Sequence, residues 1–235
     1  METPYLYLLL NIVVVSVPLI RSFEPRIHFY KKWKYLFPAI GIPGAFFIAW
    51  DIIFTDIGVW GFNPKYLTGI ELAGLPVEEW LFFITIPYAC VFIYEVLNHF
   101  WPHAGVFDRI AENLTLFIIA FGAALMVFYY DLLYTFWTFL FLIGFLIFVY
   151  YKLKPAWLGK FYRGYTVALI GFFLINGILT GTGIEEEIVW YNAREFIGIR
   201  FVSVPFEDLF YGMLLIMINV TLFEHFKSRD HTAKK

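Results

Sequence analysis

Two pairs of adjacent acidic residues are the groups in this chain best suited to acid chemistry. Glu78 and Glu79 occur in the segment PVEEWLFF, and Glu207 and Asp208 occur in the segment PFEDLFYG. In both segments one residue separates a proline from the acids, and an apolar, aromatic run follows them. If burial keeps one carboxyl group protonated, such a pair can combine a general acid with a charged neighbour. These four acids are therefore candidate catalytic residues.

A structural role for the acid pairs is the alternative. Proline in the first turn of a helix, followed by acids near the positive end of the helix dipole, is a common way for a helix to begin. The occurrence of the motif at two matching positions favours a function. Duplication also preserves capping, so both interpretations stay open.

Aromatic residues near the acid pairs are candidate substrate contacts. Their ring faces can stabilise a cation without reacting with it, although tryptophans at this depth also form interfacial belts. The predicted substrate-binding residues are Trp60, Trp80, Phe82, Phe83, Trp190, Phe210 and Tyr211, together with Asn63 and Asn192.

The composition is that of a membrane protein. Hydrophobic residues make up 61% of the chain and charged residues only 15%, against about 25% charged in soluble domains, and the mean hydropathy is +0.72. The first apolar segment lacks a preceding basic residue and a cleavage pattern, so we interpret it as a helix and not as a signal peptide. A bilayer core needs about 20 apolar residues, and the sequence predicts seven spans, at residues 4–21, 35–55, 80–98, 113–130, 132–151, 164–182 and 207–226.

The distribution of lysine and arginine predicts the orientation in the membrane. Of the 17 basic residues, all but Lys65, Arg194 and Arg200 fall on one side of the predicted spans. By the positive-inside rule the N-terminus lies outside and the C-terminus in the cytoplasm. We expect an integral protein of the cell inner membrane, with both acid pairs at the outer side.

An internal repeat relates the two acid pairs. Shifting the sequence by 129 positions aligns Asn63 with Asn192 and Glu78 with Glu207, together with the prolines before the acids. The first acid of each pair is identical in the two halves and the second is not, which favours Glu78 and Glu207 as the catalytic candidates. We predict an all-α polytopic fold with two parallel three-helix repeats, at residues 1–100 and 131–235, joined by a connecting helix within 101–130.

Other polar residues in the spans have different predicted roles. Glu95 and Glu224 lie about 25 Å along their helices from the acid pairs, near the cytoplasmic interface, and we interpret them as structural. Asp51 and Asn176 lie deeper in their spans and are expected to face the bundle interior.

Several kinds of site are excluded or disfavoured. The single cysteine, Cys90, cannot form an intrachain disulfide. The segment GTGIEE does not match a dinucleotide-binding motif. The five histidines have no metal-ligand spacing, so we predict no metal site. A net charge of −2 gives no sign of nucleic-acid binding.

The segments PVEEWLFFITIPYACVFIYE and PFEDLFYGMLLIMINVTLFE resemble the small membrane lycopene cyclases of bacteria and archaea, here in the fused arrangement, and also the cyclase half of fungal phytoene synthase/lycopene cyclases. The resemblance implies cofactor-independent conversion of the ψ ends of lycopene to β-rings, through γ-carotene to β-carotene. It also implies the four acids as functional residues. The expected partners are lycopene and other linear carotenoids, membrane lipid, and enzymes of the carotenoid pathway.

The required chemistry fits these residues. A proton adds to a terminal double bond, a neighbouring double bond attacks the cation, and a different proton leaves. Both acid pairs are predicted on one side of the membrane, whereas an extended polyene is comparable in length to the ~30 Å hydrocarbon core. We therefore expect one composite site that treats the two ends in succession. The alternatives are a small-solute transporter with the same 3+1+3 parallel repeat and a scaffold protein in which the acids only cap helices.

Overall fold

The computed structural model describes residues 3–233, and these residues form mainly α-helices. The helices are α1 (Leu6–Arg21), α2 (Trp33–Asp56), α3 (Val77–Phe100), α4 (Val106–Phe128), α5 (Leu133–Ile147), α6 (Leu158–Leu179) and α7 (Phe206–Ala233). Among the described residues, six helical segments are long and apolar enough to cross a membrane. Helix α1, with 16 residues, is shorter. The predicted all-α polytopic membrane protein is confirmed, and the count of seven spans stays a prediction.

Short strands lie between the helices at the end of the bundle that carries the acid pairs. They are β1 (Trp60–Phe62), β2 (Glu71–Leu72), β3 (Leu75–Pro76), β4 (Val189–Tyr191), β5 (Arg200–Phe201) and β6 (Val204–Pro205). Strands β2 and β3 form one hairpin, and β5 and β6 form another. Helices α3 and α7 begin directly after these hairpins. The hairpins therefore set where each acid pair sits.

An antiparallel ribbon of β1 and β4 joins the two halves of the chain, with Trp60 opposite Tyr191. Two reciprocal hydrogen bonds extend it. Asn63 N–H donates to the Ile188 carbonyl at 2.8 Å, and Asn192 N–H donates to the Val59 carbonyl at 2.9 Å. The 129-residue shift relates Asn63 to Asn192 and Val59 to Ile188, so the two bonds are equivalent. Each half thus completes the backbone pairing of the other.

Helices α3 and α7 lie at the centre of the bundle. Helices α1 and α6 pack against α3, while α2 and α5 pack against α7, and α4 packs against α5 and α6. The core between them is rich in aromatic side chains, among them the fully buried Phe47, Phe139 and Phe223. Because α2 packs on α7 and α6 packs on α3, each half contributes a helix to the surroundings of the other acid pair.

A cluster of ion pairs holds the helices together at the far end of the bundle. Glu95 is buried, with 3% of its side chain exposed, and its carboxylate pairs with Lys32 and, at 2.7 Å, with Lys227. Glu224 accepts from Lys227 at 3.2 Å and from the Tyr94 hydroxyl at 2.9 Å. This cluster ties α2, α3 and α7 together, as expected for structural acids.

We expect Glu95→Gln to destabilise the protein without disabling the chemistry of the folded molecule. Removing one partner of a buried ion pair typically costs about 3–5 kcal/mol. Here Lys32 would lose the carboxylate of Glu95, and Lys227 would keep only that of Glu224. Glu224→Gln should have a smaller effect, because Glu95 still neutralises Lys227. Thermal unfolding in detergent measures the loss, and activity per folded molecule provides the control. A large activity loss in folded Glu95→Gln protein would show that this end takes part in the reaction.

Candidate active site

A cavity of about 450 Å³ lies between α1, α3, α6 and α7. The carboxyl groups of Asp51, Glu79 and Asp208 line it at the end where α3 and α7 begin. Further along, the lining is mostly aliphatic and aromatic, with residues such as Val14, Ile86 and Leu215. The cavity therefore has an acidic end and an apolar body.

Glu79 lies beside two further polar groups at the acidic end. The Tyr7 hydroxyl donates to Glu79 Oε2 at 2.5 Å. The Asp51 and Glu79 carboxyl groups are interacting neighbours at this end of the cavity. Asp51 Oδ1 accepts from the Trp60 indole N–H at 2.5 Å, whereas Asp51 Oδ2 has no donor among the described residues. Since two carboxylates cannot hydrogen-bond without a proton, this contact is a place where the pair can share one.

Asp208 is surrounded by hydrogen-bond donors. The Tyr134 hydroxyl donates at 2.5 Å, the Asn176 amide at 2.6 Å and the Tyr191 hydroxyl at 3.0 Å. Burial, followed by the Asp208 charge, raises the pKa of Tyr191 well above its usual value, so this phenol keeps its proton. All three partners can donate to an ionised carboxylate, which only accepts. Asp208 and Glu79 thus sit in different environments.

No cationic side chain among the described residues lines the acidic end of the cavity. Asp51, Glu79 and Asp208 are 2%, 8% and 4% exposed, and none of the described residues that line the cavity is a lysine, arginine or histidine. Buried carboxylates without a counter-cation repel each other and lack solvation. The cluster is therefore suited to holding a proton together with a negative charge.

The structure separates the two acids of each predicted pair. Glu79 and Asp208 line the cavity, whereas Glu78 and Glu207 do not. The Thr68 N–H donates to Glu78 Oε1 at 2.7 Å, and the Ile197 N–H donates to Glu207 Oε1 at 2.9 Å. Both first acids are fully buried. In this geometry they anchor the loop before each helix.

The predicted aromatic and amide contacts also divide into two groups. Trp60, Phe82 and Tyr211 line the cavity. The others have structural contacts outside the lining: Trp80 donates to the Leu72 carbonyl, Phe83 packs on Phe47, Phe210 packs on Phe139, Trp190 covers Gly61, and Asn63 and Asn192 each accept a backbone N–H two residues ahead. The assignment of the predicted set to substrate binding stays a prediction.

Five polar residues lie at the acidic end of the cavity but are not among the site residues predicted from the sequence. Asp51 and Asn176 were expected to face the interior, and they do, but as direct neighbours of the acids. Tyr7 and Tyr134, near the starts of α1 and α5, and Tyr191, in β4, were missed. The sequence pattern that could have indicated Tyr7 and Tyr134 is a tyrosine at the end of an apolar helix that lies on the same side as the acid pairs.

The cavity opens sideways between α1 and α6. Its lining includes Val17 on α1 and Leu174 on α6, both 65% exposed on the outer surface of the bundle. Glu79 and Ile93 mark the two ends of the lining on α3, about 21 Å apart at 1.5 Å per residue. A long apolar molecule can thus reach the acids from the bilayer.

One comparison with known proteins identifies a family for this chain. The model of a family described as lycopene cyclase matches residues 4–97 and 131–226. The two matched segments contain α1 to α3 and α5 to α7, apart from the last turns of α3 and α7, and leave out α4. No curated protein and no solved structure matches the chain. Because the family model covers well over half of the sequence, the chain belongs to the lycopene cyclase family.

Proposed function

We propose that this protein is a cofactor-independent lycopene β-cyclase, which closes the ψ ends of lycopene to give γ-carotene and then β-carotene. The observation that carries the proposal is the placement of three buried carboxyl groups at one end of an apolar cavity open to the bilayer. Acid-initiated cyclisation needs an acid, a negative charge and an apolar channel for the polyene. All three meet in this cavity.

Glu79 is the proposed proton donor. Its contact with Asp51 provides a place for a proton, and repulsion between neighbouring carboxylates favours keeping one there. Protonation of the terminal double bond places a positive charge on the adjacent carbon. The neighbouring double bond attacks that carbon, which closes the ring and moves the charge into it.

Asp208 is the proposed cation stabiliser and base. Its three donors suit an ionised carboxylate, whose charge is attractive to the ring cation. The faces of Trp60, Phe82 and Tyr211 add cation–π stabilisation. Loss of a ring proton to Asp208 leaves a neutral cyclic end. One proton is added and one is removed, so the reaction involves no net oxidation or reduction.

A single composite site treats the two ends of lycopene in succession. Both Glu79 and Asp208 line the same cavity. Its length on α3 of about 21 Å is less than the ~30 Å hydrocarbon core, to which an extended polyene is comparable in length. One end reaches the acids while the other remains in the bilayer. The monocyclic product must then leave the cavity and enter it again with its uncyclised end first.

The transporter alternative fits the cavity less well. A solute path needs polar groups through the depth of the bundle, whereas polar atoms here are concentrated at one end of an otherwise apolar lining. The scaffold alternative explains Glu78 and Glu207, which anchor loops, but gives no reason for burying Asp51, Glu79 and Asp208 together.

The proposal extends to the placement of the protein. Two parallel three-helix repeats (1–100 and 131–235) with a connecting helix in 101–130 would span the inner membrane seven times, with the acid end outside and the C-terminus in the cytoplasm. Linear carotenoids dissolved in membrane lipid would be the substrates, supplied and consumed by other enzymes of the carotenoid pathway.

Purified protein in detergent or lipid is expected to cyclise lycopene without added flavin or nicotinamide. Pigments separated by chromatography at successive times should show γ-carotene rising before β-carotene, because the intermediate has to turn round. An absolute requirement for reduced flavin would contradict the cofactor-independent mechanism. Formation of β-carotene with no monocyclic intermediate in a single turnover would contradict the single site.

A further inference from the structure

The acidic ends of the two halves share one contact, between a tyrosine and the second acid of each pair. Tyr7 donates to Glu79 and Tyr134 donates to Asp208, both at 2.5 Å. This match relates α1 to α5, just as the 129-residue shift relates α6 to α2. The cavity reaches the acids between α1 and α6. Its counterpart in the other half therefore lies between α5 and α2, and we refer to these two positions as the first lane and the second lane.

The residues at corresponding positions of the two lanes differ in size. Ile175 and Leu179 line the first lane on α6, and the 129-residue shift places Phe46 and Trp50 opposite them on α2. Val14 lines the first lane on α1. Aligning Tyr7 with Tyr134 places Phe141 at the position of Val14. Three aliphatic residues in the first lane thus correspond to three aromatic residues in the second.

The three aromatic residues fill the second lane. Ring centroids of Phe46 and Phe141 are 5.2 Å apart, those of Trp50 and Phe141 are 5.0 Å apart, and those of Phe46 and Trp50 are 6.0 Å apart. Trp50 also lies 5.0 Å from the ring of Tyr211, which borders the acidic end. None of the three aromatic residues lines the cavity. The second lane is therefore occupied by side chains.

The large side chain of Trp50 is suited to filling the second lane. Its side chain is 5% exposed, and its indole N–H has no acceptor among the described residues. A buried donor without an acceptor is destabilising, so hydrogen bonding does not explain a tryptophan here. The large ring, packed between Phe141 and Tyr211, does.

We propose that Phe46, Trp50 and Phe141 determine how the substrate binds, by closing the second lane so that each chain holds one polyene end, through the first lane only. The proposal rests on the proposed function for the identity of the polyene. These three residues thus determine whether the protein has one substrate-binding lane or two.

Exchanging the residues between lanes tests the proposal. The closing variant carries Val14→Phe, Ile175→Phe and Leu179→Trp, and the opening variant carries Phe46→Ile, Trp50→Leu and Phe141→Val. A third variant combines both sets. Lycopene bound per purified chain, measured by absorbance, is the first readout, and cyclisation is the second.

The closing variant should lose lycopene affinity by about 10- to 100-fold, since large side chains would occupy the binding path. The opening variant should bind two lycopene molecules per chain where the unmodified protein binds one. The combined variant should regain binding relative to the closing variant. The closing substitutions fill an existing cavity, so this variant tests binding through the first lane even if the opening variant does not fold.

Unchanged lycopene binding in the closing variant would overturn the proposal, as would one lycopene per chain in a folded opening variant. Binding and turnover separate this proposal from the proposed function. If the unmodified protein bound lycopene without cyclising it, the cyclase assignment would fail, and the number bound in each variant would still decide between one lane and two.

Discussion

Replacing Glu79 with Gln is expected to lower lycopene cyclisation by about 10²–10⁴-fold, the usual contribution of general acid catalysis. Gln keeps the size of the side chain and can still accept from the Tyr7 hydroxyl, now at 2.5 Å. It cannot deliver a carboxylic proton to the terminal double bond. The loss should appear in the rate of γ-carotene formation, with lycopene still bound.

Glu78→Gln is the matched control for this substitution. Glu78 is the preceding residue, is fully buried and does not line the cavity. Its Oε1 accepts from the Thr68 N–H, a bond that Gln can keep. Its Oε2 has no partner among the described residues, so the new amide donors would lack acceptors at a cost of about 1–3 kcal/mol. We expect a less stable protein with nearly normal activity per folded molecule. If Glu78→Gln lost more activity per folded molecule than Glu79→Gln, Glu78 would be the proton donor.

Asp208→Asn is expected to reduce cyclisation by about 10²–10³-fold, comparable to the removal of an electrostatic group that stabilises a transition state. The asparagine amide would face Tyr134, Asn176 and Tyr191, which all donate to the present carboxylate. The substitution removes the negative charge of the proposed cation stabiliser and base. Product formation by the folded variant measures the effect.

Glu207→Gln provides the corresponding comparison in the second half. Glu207 Oε1 accepts from the Thr135 hydroxyl at 2.6 Å and from the Ile197 N–H at 2.9 Å, and Gln can accept both bonds. We therefore expect this variant to keep most of its activity per folded molecule. If Asp208→Asn were as active as Glu207→Gln, Asp208 would have no electrostatic part in the reaction.

The positions of the helices could be predicted from the sequence because a long apolar segment indicates a membrane-spanning helix. The predicted spans 80–98 and 207–226 lie within α3 (Val77–Phe100) and α7 (Phe206–Ala233). Proline before each acid pair also marks the helix start correctly, since Pro76 is extended and precedes the first turn of α3. The pattern of charges and apolar runs thus located the acid pairs at one end of the bundle.

The direction of each acid side chain was not accessible in this way. Neighbouring residues on a helix point about 100° apart, so one acid of a pair faces the cavity while the other faces the loop. Identity between the halves favoured Glu78 and Glu207. That identity has another explanation in the structure, because both hairpins need the same anchor for a backbone N–H. Tyr134 and Tyr191 reach Asp208 from other elements, a tertiary arrangement that local patterns do not contain.

The ribbon of β1 and β4 has a consequence for the kind of product the cavity releases. Besides joining the halves, it supplies Trp60, whose indole binds Asp51, and Tyr191, whose hydroxyl binds Asp208. A ring or chain carbocation that meets water becomes an alcohol. In the proposed mechanism, the two large side chains of this ribbon cover the carboxyl cluster, so the internal double bond would reach the cation before water does.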